Sequence, residues 1–146
     1  MRRLLTGATL LGAASLVAAP AFSAATPNPC VLITFVDASA VLGATPPKSV
    51  PKTLGLFRSC TYTVKKKTLT LQTRHVARKS DFEKSAKANP GGVFPIHGVG
   101  ADAFSAGGGT VLLVWANGVE VTFTFGGFNP VVASQQSLAK TAISRL

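Results

Sequence analysis

The sequence predicts an α+β fold: an antiparallel sheet of two hairpins (about four to five strands) with three helices packed mainly on one face. Three observations predict it. Two pairs of apolar runs meet at short polar turns, at Lys65-Lys66-Lys67 and at Asn117-Gly118. Helix caps and stops frame three other stretches. These signals alternate as helix, hairpin, helix, hairpin, helix, an order that gives hairpin-joined strands in one antiparallel sheet with helices layered on it.

The first stretch lies outside that pattern. Met1–Ala25 has the parts of a secretory leader: Arg2-Arg3, the mostly apolar run Leu4–Ala18, and a small-residue exit over Pro20–Ala25. Cleavage after Ala25 leaves Ser23 and Ala25 at the small positions that a signal peptidase needs. An anchoring helix is the competing reading, but the apolar run falls short of the ~20 residues a span requires. Thr26–Pro29 is then a short leader, and residues 30–146 form a single domain, expected to be soluble and extracytoplasmic. No cysteine ends the apolar run, so lipid anchoring is not expected.

The first helix is read in the second half of Cys30–Gly43. Thr34 can cap its first turn, Asp37 sits near its positive end, and Gly43 provides a left-handed stop. A buried strand over Val31–Val36 is the alternative, because that run is β-branched. Ala44–Thr53, with Pro46, Pro47 and Pro51, reads as a loop. Leu54–Val64 and Thr68–Val76 form the first hairpin, with Leu69, Leu71 and Thr73 alternating with Thr70, Gln72 and Arg74. Cys60, Tyr62 and Val64 share a face of the earlier strand.

Ser80-Asp81-Phe82-Glu83 is a capping-box pattern that opens the second helix, which runs to about Ala88 and stops at Asn89-Pro90-Gly91-Gly92. A glycine-studded lead-in, Ile96–Phe104, is followed by the second hairpin, Val111–Trp115 and Val119–Phe125. Its Asn117-Gly118 suits a two-residue turn with positive φ at both positions. Asn129-Pro130 reads as the cap and first position of the last helix, with Val131, Gln135, Leu138, Ala142 and Leu146 on one stripe.

Cys30 and Cys60 are the only cysteines. In an exported chain an isolated pair is most simply a disulfide. It closes a loop of about 31 residues, worth roughly 3.5 kcal/mol on the chain-entropy account. Without Arg2 and Arg3 the chain carries 13 lysines and arginines against 5 acidic residues, a net +8. Such a surface favours anionic partners without naming one.

Four marks, in order, give the chain a family likeness. They are Pro29-Cys30-Val31-Leu32 with a helix ending Val41-Leu42-Gly43, then Cys60-Thr61-Tyr62, then Val99-Gly100-Ala101-Asp102-Ala103-Phe104, and last Leu138-Ala139-Lys140. Together they span nearly the whole chain after the leader. On them the chain resembles a family of small exported domains, abundant in mycobacteria and other actinobacteria, often lipid-anchored and largely without an assigned function. The resemblance implies an α+β domain with a Cys30–Cys60 bridge, and no catalytic residue; no cofactor or metal is expected. The missing lipid-attachment cysteine is a departure that favours release or wall association.

The candidate binding residues are Arg58, Lys65, Lys66, Lys67, Arg74, Arg78, Lys79, Lys84 and Lys87, nine of the 13 basic residues within 30 positions. Gathered on one side they would engage an anionic envelope polymer, a lipid headgroup or a protein; scattered, they are a solvated face. Poor aromatic interleaving speaks against dedicated nucleic-acid binding. The expected function is therefore a non-enzymatic binding or interaction module of the cell envelope. Two alternatives stand beside it: a structural accessory protein with no ligand, and a small extracytoplasmic enzyme centred on His97 and Asp102, with Ser105 close in sequence. His75 and His97 have no second ligand at metal-binding spacing, and Gly98-Val99-Gly100 is a weak anion-nest pattern lacking a phosphate-loop lysine.

Overall fold

The computed structural model describes residues 25–100 and 102–146. The secretory leader read at Met1–Ala25 lies, apart from Ala25, outside the described residues. The described chain is α+β: four helices and a seven-stranded antiparallel sheet in the spatial order β1-β2-β3-β7-β6-β5-β4. The strands are β1 (Ser49–Leu54), β2 (Phe57–Val64), β3 (Lys67–His75), β4 (Val93–Pro95), β5 (Asp102–Ala106), β6 (Val111–Ala116) and β7 (Val119–Gly126). The helices are α1 (Pro29–Leu32), α2 (Phe35–Leu42), α3 (Lys79–Lys87) and α4 (Val132–Ile143).

Seven strands replace the expected four to five. β1 lies in the segment read as a proline loop. Pro51 lacks an N–H, which an outermost strand tolerates because one side of it makes no ladder bonds. Pro95 sits in β4, the opposite edge, so both rims of the sheet carry a proline that discourages further pairing. β4 lies just before the lead-in read as a turn and β5 begins inside it: Ile96 donates to the Ala103 carbonyl at 2.8 Å, and the turn between the strands takes up Gly98 and Gly100 at positive φ.

Both hairpins occur where expected. The β6–β7 turn holds Asn117 at φ 52° and Gly118 at φ 74°, as a two-residue turn of this kind demands. α2 carries the full reciprocal cap, with the Thr34 amide and hydroxyl both donating to the Asp37 carboxylate at 2.8 Å, and it ends at Gly43, φ 82°. The strand alternative for Val31–Val36 is replaced by the single turn α1, with the Asn28 side chain accepting from the Cys30 amide.

Two other caps differ. α3 begins one residue before Ser80, at Lys79, and its N-cap residue, Arg78, makes no side-chain cap bond. Arg78 instead pairs with Asp81 at 2.9 Å and Lys79 with Asp102 at 2.8 Å, so charge pairing sets the start of this helix. α4 begins at Val132 rather than Asn129-Pro130, because the Asn129 amide donates to the Gly108 carbonyl and so satisfies the glycine loop before β6.

The helices do not share one face. α1, α2 and α4 cover one side, burying Leu32, Leu42, Leu138 and Ala142 with Tyr62, Leu71, Leu112 and Phe123 of the strands. α3 packs on the reverse side, where Phe82 and Ala86 meet Ala106 and Leu113, with Phe104 and Trp115 beside them. The alternation along β6 explains this: Leu112 and Val114 face the first group, while Val111, Leu113 and Trp115 face α3. The three-helix face is stitched by the Cys30–Cys60 disulfide and by the Tyr62 hydroxyl, which donates to the Ile33 carbonyl. Arg145 bonds the Leu32 carbonyl and the Asp37 carboxylate, tying the C-terminus to α1 and α2.

Candidate functional site

The nine basic candidates do not form one surface. Arg58 lies on the three-helix side and donates to the Thr26 carbonyl at 2.9 Å, which pins the leader. Arg74 is on the reverse side, paired with Glu120 at 2.7 Å. Arg78 and Lys79 are occupied by Asp81 and Asp102, and the Lys79 ammonium pKa is raised first by its hydrogen bond to Asp102 and further by Glu83. Lys84 and Lys87 lie on exposed α3 positions. Lys65, Lys66 and Lys67 sit at the other end of β3, roughly 25 Å away along a nine-residue strand at about 3.3 Å per residue.

That lysine end contains a hollow. Its lining comes from the C-terminal end of α2 (Leu42, Gly43, Ala44), the β2–β3 turn (Val64 to Lys67) and Gly127 just past β7, around about 510 Å³. A second hollow of about 380 Å³ adjoins it and shares Val64 and Lys65, adding Lys48, Val50 and Thr61. The floor is aliphatic and the rim is cationic. Lys67 reaches over the Phe128 ring, 5.4 Å from its centre, and that ring packs edge-on against Phe125.

The turn that carries the lysines is unusual in its backbone. Val64 pairs with Lys67, leaving a two-residue turn of Lys65-Lys66, and Lys65 takes φ 52°. The corresponding positions of the other hairpin turns are filled by Gly55 and by Asn117-Gly118, residues that accept a left-handed conformation easily. A lysine held there costs roughly 1–2 kcal/mol. Gly127, at φ 75°, lies against the Lys66 carbonyl so closely that a Cβ would strike it. The turn is thus pressed onto the end of β7.

No family model, no curated protein and no solved structure matches the chain.

The enzyme residues are arranged differently. His97 is exposed on the β4–β5 connection, and its backbone carbonyl accepts from Gln136 at 2.9 Å. Asp102 is engaged by Lys79, and Ser105 is buried on β5. His75 is exposed at the end of β3. None of these four lines a described hollow, and no group of three His, Cys, Asp or Glu side chains among the described residues could hold a metal ion. Val99 of the glycine motif is buried, 5% exposed, inside its turn.

Sequence reasoning found the three lysines but not the apolar floor beside them. Leu42 closes α2, Val64 ends β2 and Gly127 follows β7, so only the sheet order brings them together. The available signal was the lysine turn itself, where a glycine would be expected at the left-handed position.

Proposed function

We propose that this chain is a non-enzymatic binding module of the cell envelope and that it engages an anionic amphiphile, such as an acidic lipid, at the lysine turn. The supporting observation is the apolar hollow of about 510 Å³ with Lys65, Lys66 and Lys67 on its rim. Such a lining suits a ligand with a negative head and an aliphatic tail: the tail takes the Leu42–Val64 floor and the head meets the ammonium groups. The strained Lys65 supports the same reading, since left-handed non-glycine residues persist where the surroundings over-determine them and cluster at ligand sites. The disulfide suits an oxidising, extracytoplasmic compartment. The likeness to small exported actinobacterial domains points to that compartment too. Among the described residues no helix is long and apolar enough to cross a membrane, so membrane contact through this site would be peripheral.

Vesicle co-sedimentation tests the proposal. The mature protein is expected to sediment with vesicles containing phosphatidylglycerol and not with pure phosphatidylcholine, and to be released as salt rises. Replacing all three of Lys65, Lys66 and Lys67 by Gln should weaken binding roughly 100-fold, at about 1 kcal/mol per lysine. Lys84→Gln with Lys87→Gln should leave it nearly intact. Equal binding to both vesicle types, or equal loss from the two sets of variants, would remove the lysine turn as the site.

A further inference from the structure

The reverse side of the sheet is only half covered. α3 closes it over β5 and β6, while β2, β3 and β7 leave an open face. The register puts three Thr-x-Thr segments side by side on that face: Thr61 and Thr63 of β2, Thr68 and Thr70 of β3, and Thr122 and Thr124 of β7. Thr61 is opposite Thr70, Thr63 opposite Thr68, and Thr70 opposite Thr124. Ser59 and Gln72 pair in the next row, beside Thr122. No residue of these rows on the three strands is charged; lysines lie only at their margins, Lys52 of β1 opposite Ser59, and Lys48 and Lys65 around the hollow that Thr61 and Thr63 help to line.

The rows run into a cleft of about 320 Å³ between the C-terminal end of α3 and the sheet, which Gln72, Thr122, Phe57 and Asn89 help to line. The only charged groups lining it neutralise each other. Arg74 donates to Glu120 at 2.7 Å, and Thr122 donates to the other Glu120 oxygen at 3.3 Å. Arg74 also lies over the Phe57 ring, 5.4 Å from its centre, and donates to the Ser85 hydroxyl. The Glu120 side chain is 6% exposed, so the pair is a fixed, charge-balanced wall. Phe57 and Pro90 give the cleft apolar edges, while Gln72 adds a half-buried amide side chain to its lining.

We infer that this cleft and the threonine rows beyond it form a second binding site, distinct from the lysine hollow, for a linear uncharged glycan. Charge balance argues against an anion, which the lysine end of the molecule would take instead. Thr61 and Thr70 bond each other at 3.0 Å, and Ser59 and Thr122 donate to the Lys52 carbonyl and to Glu120, so these hydroxyl oxygens keep acceptor capacity. With Thr63, Thr68, Thr124 and the Gln72 amide beside them, the rows match the alternating hydroxyls and ring oxygens of a sugar chain. Phe57 and Pro90 supply the flat apolar contacts that the carbon faces of sugar rings require. From Arg74 to Thr68 the track is about 20 Å long at about 3.3 Å per residue, enough for several rings in line. A protein partner is less suited, because an interface core is enriched in large apolar side chains and this face has none at its centre.

The test is an amide NMR titration of the mature protein with three neutral hexasaccharides: cellohexaose, maltohexaose and chitohexaose. At least one should shift the amides of Gln72, Thr70, Thr122 and Asn89, and the effect should persist as salt is raised. Gln72→Ala and Thr122→Val should each weaken that binding about tenfold with the remaining spectrum unchanged. The Lys66→Gln, Lys67→Gln double variant, whose residues line the lysine hollow but not the threonine rows, should bind the sugar as the parent does, which separates this site from the lysine hollow. No shift with any of the three sugars would overturn the inference, leaving threonine there only because it suits exposed strands. Shifts confined to the lysine turn, or abolished by salt, would overturn it equally.

Discussion

Gly127 shows how one small residue governs the lysine turn. It follows β7, holds φ 75° and lies under the Lys66 carbonyl, with no room for a side chain. Gly127→Ala combines a backbone penalty with a collision against main chain that cannot step aside. We expect the substitution to lower stability by roughly 1–3 kcal/mol, measured by urea unfolding, and to displace the lysine turn. An unchanged midpoint would mean that the turn is not held against β7. Gly43 is different: its φ of 82° needs glycine, but open space surrounds it, so an alanine there would meet backbone strain alone.

At the scale of the element, α2 is fastened at its start by a carboxylate. Burial works to raise the Asp37 pKa, but the hydrogen bond from Arg145 and those from the Thr34 amide and hydroxyl outweigh it, leaving the group below its ordinary 3.8. A depressed folded-state pKa contributes stability that is present above the unfolded value and is lost as pH falls through the folded one. The pair is partly exposed, with 36% of the Arg145 and 21% of the Asp37 side chain accessible, so its share is discounted to about 1 kcal/mol. Asp37→Asn should therefore reduce stability near neutral pH by about that amount. The difference from the parent should close below about pH 4, as thermal melts across pH would show. A gap that stays constant into acid would point to the cap's shape and not its charge. This fastening was half legible: Thr34, Asp37 and Gly43 are local signals with fixed spacing. Arg145, 108 positions from Asp37, had no local signal at all.

On the scale of the molecule, the hairpins were readable because turn chemistry and alternation act within a dozen residues, as at Asn117-Gly118 and along Leu69-Thr70-Leu71. What escaped reading was decided at longer range. β1 carries Pro51 and five exposed residues, so it has strand geometry without a strand's apolar pattern, and β2 alone makes it a strand. The Ser80 cap failed because Asp102, on another element, recruited Lys79. The second helix could not be assigned a side of the sheet from its own sequence, since Phe82 and Ala86 would bury equally well against either face. For the site the division is the same. The lysines were visible as a run, while Leu42, Val64 and Gly127 met only through the sheet.

The strand order has a consequence for assembly in time. β1-β2-β3 and β4-β5-β6-β7 are each a meander of sequence neighbours, and β3 against β7 is the one strand pairing between them. Each half can zip from its own turns on short loops, but the seam must wait for both, since it joins strands more than forty residues apart. Leu71 and Phe123 face each other across that seam and are fully buried. Shortening Leu71 to alanine should slow refolding almost as much as it destabilises, whereas Val93→Ala at the rim should act mainly by hastening unfolding; stopped-flow refolding with the disulfide intact would show it. The threonine rows straddle the same seam, with Thr122 and Thr124 of β7 beside Gln72 and Thr70 of β3, and the lysine hollow reaches across it for Gly127. Neither surface would then be complete in either half alone, and the protein would finish its two faces in the last step of folding, together.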